Sequence, residues 1–352
     1  MNIKIAGSGS YIPTITVKNE DFSSHQFLSD EGLPLHHTND IIISKFRDIT
    51  GIEERRYAER NLLTSDIASL AAEKAIDDAK IDKETLDYII VAHNFGDLRH
   101  GAIQSDTVPS IAARVKQKLK IQNPKCVAYD VLFGCPGWIE GMIQANAFVK
   151  AGIARNCLVI GAETLSRVVD IHDRDAMIYS DGAGATVVTA SNDDSGVLAH
   201  ESATYAANEA GYLYFGKSFN KDLDPDVRYL KMFGRKIYEF ALNHVPMAMK
   251  SCLEKSGVPI SKVSKILIHQ ANEKMDEAII QRFYKLYDQS PPPGIMPMSI
   301  HKLGNSSVAT VPTLFDLLVH NKLDKQSLNK GDVVIMASVG AGMNINSLIY
   351  RH

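Results

Sequence analysis

Cysteine is scarce. The 352-residue chain has four (Cys126, Cys135, Cys157, Cys252), with no CxxC pair and no histidine cluster at ligand spacing. This argues against a disulfide scaffold and a zinc site and suits a reducing compartment, so the expected location is cytoplasmic, without a bound metal. No apolar run reaches the roughly 18 residues that span a bilayer, so membrane insertion is not expected. The opening MNIKIAGSGSYIP is too broken by Gly, Ser and Pro to read as a signal peptide. No charge of one sign dominates: 38 Lys and Arg against 41 Asp and Glu leave a formal −3, with no basic stripe to track phosphates, which argues against a nucleic-acid partner. Low complexity is absent apart from Pro291-Pro292-Pro293-Gly294, a loop signal. The 45% of hydrophobic residues is enough for one large or two medium globular units.

The chain repeats itself. AKIDKETLDYIIVAHN, ending at Asn94, lies over GVPISKVSKILIHQAN, with Ile89-Ile90-Val91 falling on Ile266-Leu267-Ile268. CLVIGA at 157 falls on VVIMAS at 333, at nearly the same offset of about 177 residues. Two independent pairs of buried-type strands sharing one offset indicate two copies of an α/β unit. The expected halves are 1–190 and 191–352, related by a pseudo-two-fold axis. Within the second copy, Pro312 requires a kink or a helix beginning only near Val311.

The stretch YDVLFGCPGWIEGMIQANAFVK (129–150) passes from an apolar strand into an apolar helix. Pro136 suits the first helical position, which puts Cys135 at the helix entrance, where free N–H groups and the helix dipole favour a thiolate. A buried structural cysteine fits this stretch as well. His269 ends the strand KILIH, at the rim where open α/β sheets bind ligands; alone it reads more readily as a structural histidine. Asn305, in Leu303-Gly304-Asn305-Ser306-Ser307, reads alone as a cap or Asx turn. The repeat alters both readings. The helix after Asn305 is the counterpart of the helix after Cys135, so Cys135, His269 and Asn305 are expected to converge. A papain-like peptidase shares Cys–His–Asn in this order, but the C-G-[SA]-C-[WY] flank is missing and a duplicated α/β unit does not fit that fold.

DVLFGCPGWIEG, ILIHQAN, KLGNSSVATVP and SVGAGMNINS resemble the active-site segments of the β-ketoacyl-[acyl-carrier-protein] synthase III family. AGSGSYIPT, TGIEERR and SDGAGATVV extend the resemblance over essentially the whole chain. It implies a thiolase-like fold, a duplicated α/β unit in αβαβα layers. It makes Cys135 the acyl-accepting nucleophile and His269 and Asn305 its partners. The backbone N–H groups of Cys135 and Ala341 would form an oxyanion hole, although the family usually has Gly where Ala341 stands. The implied reaction is a decarboxylative Claisen condensation of an acyl thioester with a malonyl thioester. Coenzyme A or phosphopantetheine thioesters serve as substrates, acyl-carrier protein as partner, with no metal or redox cofactor. A homodimer is expected.

The sequence also departs from that pattern. The Trp and Arg that usually contact coenzyme A before the TGI turn are out of register, with Phe46 and Arg47 nearby. Arg174 matches a family arginine near the coenzyme. Val108 stands where a Phe often lines the acyl pocket, and a smaller side chain there would admit a longer acyl group. The loop at 93–108 reads as a solvated loop at a dimer interface, and Glu140 as facing a polar neighbour. Initiation of fatty-acid synthesis is therefore the leading function. The alternatives are a specialised ketosynthase or acyltransferase making resorcinol- or quinolone-type products, and a non-catalytic subunit of a heterodimer.

Overall fold

The computed structural model describes residues 2–352. The chain begins β1 (Asn2–Tyr11), β2 (Ile15–Lys18), α1 (Asn39–Thr50), β3 (Glu54–Tyr57), α2 (Thr64–Ala79), β4 (Tyr88–Ala92), α3 (Ile111–Lys118), β5 (Val127–Val131), α4 (Gly137–Lys150), β6 (Asn156–Thr164) and β7 (Asp181–Ser191). It continues β8 (Gly196–Thr204), β9 (Leu213–Gly216), β10 (Tyr229–Met232), α5 (Gly234–Ser256), β11 (Val263–Ile268), α6 (Glu273–Lys285), α7 (Ile300–Leu303), α8 (Thr310–Val319), β12 (Val333–Gly340) and β13 (Asn344–Arg351).

Two sheets carry the structure. The first has the order β1-β7-β6-β4-β5 and the second β11-β12-β13-β8. Their registers repeat: Ile89 is paired with Leu158 and Ile266 with Ile335, both members displaced by the same 177 positions. In each sheet the parallel pair meets an antiparallel return strand, β7 in one and β13 in the other. The parallel strands carry unbroken apolar runs, Ile89-Ile90-Val91 and Ile266-Leu267-Ile268, because helices cover both faces. Ile67, Ala71 and Ala75 of α2 and Ile111 and Val115 of α3 cover the outer face of the first sheet. Val245, Met249, Ile279 and Phe283 of α5 and α6 cover the outer face of the second. Between the sheets lie α4 and α8, whose Trp138, Met142, Leu314 and Phe315 pack against Val159 of one sheet and Met336 of the other. Each such aliphatic side chain removed from water contributes about 1.5–3 kcal/mol, so this middle layer fixes the relation of the sheets.

Two prolines show how the helices are placed. A 3₁₀ turn at Ser307–Ala309 precedes α8, so Pro312 falls in its first turn, where no N–H partner is missing. Pro246 lies inside α5. It cannot donate to the Leu242 carbonyl, and Arg282 Nη1 of α6 does so instead at 3.1 Å. At the start of α2, Thr64 Oγ1 pairs with Thr164 Oγ1 at 2.8 Å, and Ser65 Oγ donates to Asp97 at 2.7 Å. No helix among the described residues is long and apolar enough to cross a membrane.

Candidate active site

Cys135 lies where β5 gives way to α4. Gly134 turns the chain at φ +68°, and Pro136 already has helical dihedrals, although α4 proper begins one residue later. The thiol is half-buried, and its Sγ accepts a hydrogen bond from Ser307 Oγ at 3.2 Å. Burial pushes the thiol up to about 11, against the pull of that hydroxyl. Here the structure departs from the sequence expectation. Cys135 stands just before the first turn of α4, and removal from water disfavours the charged thiolate.

The loop after β12 closes against Cys135. A Cβ on Gly340 would lie 2.3 Å from the Cys135 nitrogen, and one on Gly134 would lie 2.6 Å from the Ala341 nitrogen. Only glycines allow the two backbones, one carrying the Cys135 nitrogen and the other the Ala341 nitrogen, to come so close. Asn344 Nδ2 ties this loop down, donating to Ala341 O at 2.8 Å and Phe133 O at 3.3 Å. Ala341 itself needs no positive φ; the left-handed positions are Gly342 and Met343. The usual glycine is therefore dispensable there.

His269 follows β11 and is fixed by its N–H to Ala337 O at 2.9 Å. The ring is 4% exposed and its Nδ1 has no hydrogen-bond partner. Burial lowers its pKa to about 4, with only the Ser307 backbone opposing, so the imidazole is neutral at pH 7. Asn305 is held from both sides, by its N–H to Ile178 O at 3.0 Å and by Ser180 N–H to its own carbonyl at 2.8 Å. Its Oδ1 accepts the Ser307 N–H at 2.8 Å, an Asx turn. That turn supports Ser307 at φ +52°, a conformation uncommon for a residue with a Cβ.

Cys135, His269, Asn305 and Ala341 line one cavity of about 970 Å³. Its deeper wall is apolar, with Leu165, Tyr179, Leu230 and Met232 beside the stacked rings of Phe95 and Phe215. Phe46 and Arg174 line it too, joined by His37, Lys45 and Arg235. Arg47 does not; it is exposed, 4.0 Å from Asp48. Val108 is 85% exposed and off the cavity, so within one chain it does not shape the pocket.

The chain matches the family model 3-oxoacyl-[acyl-carrier-protein (ACP)] synthase III over residues 129–206 and its C-terminal model over 253–352. It is 33% identical to β-ketoacyl-[acyl-carrier-protein] synthase III 1 of Vibrio vulnificus, over the full length of both chains. The chain belongs to the β-ketoacyl-[acyl-carrier-protein] synthase III family. The synthase III of Staphylococcus haemolyticus is 31% identical over 100% of this chain and 99% of its own. The crystal structure of the Aquifex aeolicus synthase III superposes with a TM-score of 0.81 at 29% identity, covering 99% of this chain and all of that one. The synthase III architecture is thiolase-like, as the sequence resemblance implies.

Several functional neighbours escape a reading by motif. Asn94 Nδ2 donates to Ser307 Oγ at 3.2 Å and also to Glu163 Oε1. Burial raises the Glu163 carboxyl to about 8. Lys231 is buried with its ammonium on Asp170 (2.6 Å), Asp173 (2.9 Å) and the face of Phe219, fastening the β9–β10 hairpin over the cavity. The sequence carried no local signal for these residues, since their hydrogen-bonding partners lie 58 to 213 positions away. Glu140 faces polar neighbours, accepting from Asn346 Nδ2 at 2.8 Å.

Proposed function

We propose that this synthase III family member condenses an acyl thioester with a malonyl thioester, as in the first condensation of fatty-acid synthesis. The supporting observation is that Cys135, His269, Asn305 and Ala341 share one cavity wall. Cys135 Sγ attacks the acyl carbon, and the N–H groups of Cys135 and Ala341 receive the developing oxyanion. The thiol proton passes to the neutral His269 and on to the departing carrier thiolate. The malonyl thioester then loses CO₂, and the electron pair of that bond becomes an enolate. A neutral imidazole N–H and the Asn305 amide can donate to its oxygen without delivering a full proton to carbon. The enolate carbon attacks the acyl-enzyme, the Cys135 thiolate leaves, and a β-ketoacyl thioester results. No metal or redox group enters this route.

His37, Lys45, Arg174 and Arg235 around the cavity suit the phosphates of coenzyme A or an acidic acyl-carrier protein. The outer edge of β5 ends its sheet, and Val127 and Leu132 beside it are 46% and 67% exposed. A second copy pairing there would give the homodimer and bring Val108 to the shared face. The four free cysteines suit the cytoplasm.

A second reading rests on size. A cavity of about 970 Å³ with an apolar inner wall stands at the top of the usual range of roughly 300–1,000 Å³. That favours a longer or bulkier acyl group and a specialised ketosynthase. Intact-protein mass spectrometry after incubation with acyl-CoA and acyl-carrier donors of graded length, followed by malonyl-carrier, tests both readings. An acyl adduct is expected on the wild type and not on Cys135→Ala; a stable adduct on the variant refutes the assignment.

A further inference from the structure

The thiol is the difficulty in this site, because burial holds it protonated and its hydrogen-bonding partner is a hydroxyl that can rotate. Ser307 Oγ stands 3.2 Å from Cys135 Sγ. A serine hydroxyl either donates or accepts, and at sulfur the two orientations have opposite effects: a donor favours the thiolate, an acceptor the thiol. Something has to choose between them.

The choice is made two residues away. Asn94 follows β4 and Glu163 lies near the end of β6, on adjacent strands of the first sheet. Glu163 is 1% exposed, and its carboxyl oxygen accepts from the side-chain amide of Asn94. That contact faces the Asn94 nitrogen to Glu163 Oε1 and leaves the proton that this buried carboxyl carries near neutral pH to its other oxygen. The second amide hydrogen is then directed at Ser307 Oγ, 3.2 Å away. The amide takes one of the two lone pairs of that oxygen and keeps the hydroxyl hydrogen away from its own side, and Cys135 Sγ at 3.2 Å is the acceptor that hydrogen meets.

We propose that Glu163 and Asn94 are positioning residues for the nucleophile, which through the Ser307 hydroxyl hold a hydrogen-bond donor on Cys135 Sγ and so ease formation of the thiolate. This rests on Cys135 being the acyl acceptor. It gives a second purpose to the strained Ser307, whose φ of +52° presents the hydroxyl of one half of the molecule to the sulfur of the other.

The test is the rate of carbamidomethylation of Cys135 by iodoacetamide near neutral pH, followed on its own peptide by mass spectrometry. Alkylation reads the thiolate without requiring any substrate. Loss of the donor is expected to raise the apparent thiol pKa by about one unit, which slows alkylation about tenfold. Asn94→Ala and Ser307→Ala should each slow it, and the double variant no further, because both remove one and the same interaction. Glu163→Gln keeps an acceptor for the amide and should stay near the wild-type rate, whereas Glu163→Leu should slow it. Mere loosening of the site would expose the sulfur and speed alkylation, the opposite sign. If Asn94→Ala fails to fold by circular dichroism, Asn94→Ser replaces it. A folded Asn94 variant that alkylates at or above the wild-type rate, or additive losses in the double variant, overturns the proposal. A wild-type enzyme that alkylates normally yet takes an acyl group from no donor overturns the proposed function instead.

Discussion

Replacing Gly340 by alanine probes the proposed oxyanion site with one methyl group. Its backbone is extended, at φ −163°, so alanine is not excluded by conformation. The obstacle is the neighbour: the new carbon would lie 2.3 Å from the Cys135 nitrogen, 2.8 Å from Pro136 Cδ and 3.0 Å from Cys135 Cβ. Normal contact needs roughly another ångström, and both sides are backbone, so the loops at 134–135 and 340–341 must part. The proposed pairing of the Cys135 and Ala341 N–H groups on one oxyanion is then broken. Losing one such donor costs about 10²–10³ in rate, or about 2.7–4 kcal/mol of transition-state stabilisation. Overpacking costs about 1–3 kcal/mol of stability, small enough to leave a foldable protein. Single-turnover acylation from a labelled acyl thioester, by rapid quench, should fall at least about a hundredfold for Gly340→Ala, with donor binding nearly unchanged. Ala341→Gly keeps the donor and should acylate near the wild-type rate. A folded Gly340→Ala protein that acylates at the wild-type rate would refute the account of these loops.

His269 gives a pH prediction. Its folded pKa is lowered to about 4, so the neutral ring is present well below pH 6 and is lost only as the pH falls through about 4. The rate of malonyl decarboxylation by the acylated enzyme should therefore show no limb near the ordinary histidine value of about 6.5; a limb there that disappears in His269→Ala would contradict the burial argument. Lys231→Met leaves Asp170 and Asp173 without their cation, and removing one partner of a buried pair costs about 3–5 kcal/mol. Urea unfolding should show that loss, and the hairpin over the cavity should become the first site of limited proteolysis.

The doubled fold was legible because buried parallel strands leave a plain signature. IIV and ILI can stand only where helices cover both faces, and their matching offset is the register the sheets adopt. The meeting of Cys135, His269 and Asn305 on one cavity followed from that repeat. What escaped depends on burial and distant partners. The helix entrance spoke for a thiolate, but the depth of the sulfur is a property of the whole packing. Thr64 and Ser65 stand at a helix start, yet their hydroxyls go to the distant Thr164 and Asp97. Asn94 looked like loop filler, since nothing near it in the chain announces Glu163 or Ser307. Val108 lies off the cavity of its own chain because its segment turns outward.

The chain has a single tryptophan, Trp138, three residues beyond the nucleophile and 1% exposed in the helical layer between the sheets. It is therefore a lone fluorophore at the seam of the molecule. Its emission should lie towards the blue in the native protein, because the indole is dry. All the ultraviolet signal excited selectively from indole comes from this one position, so a spectral change during turnover belongs to the helix that Cys135 precedes. Parting of the two halves would appear as a red shift without any label being attached.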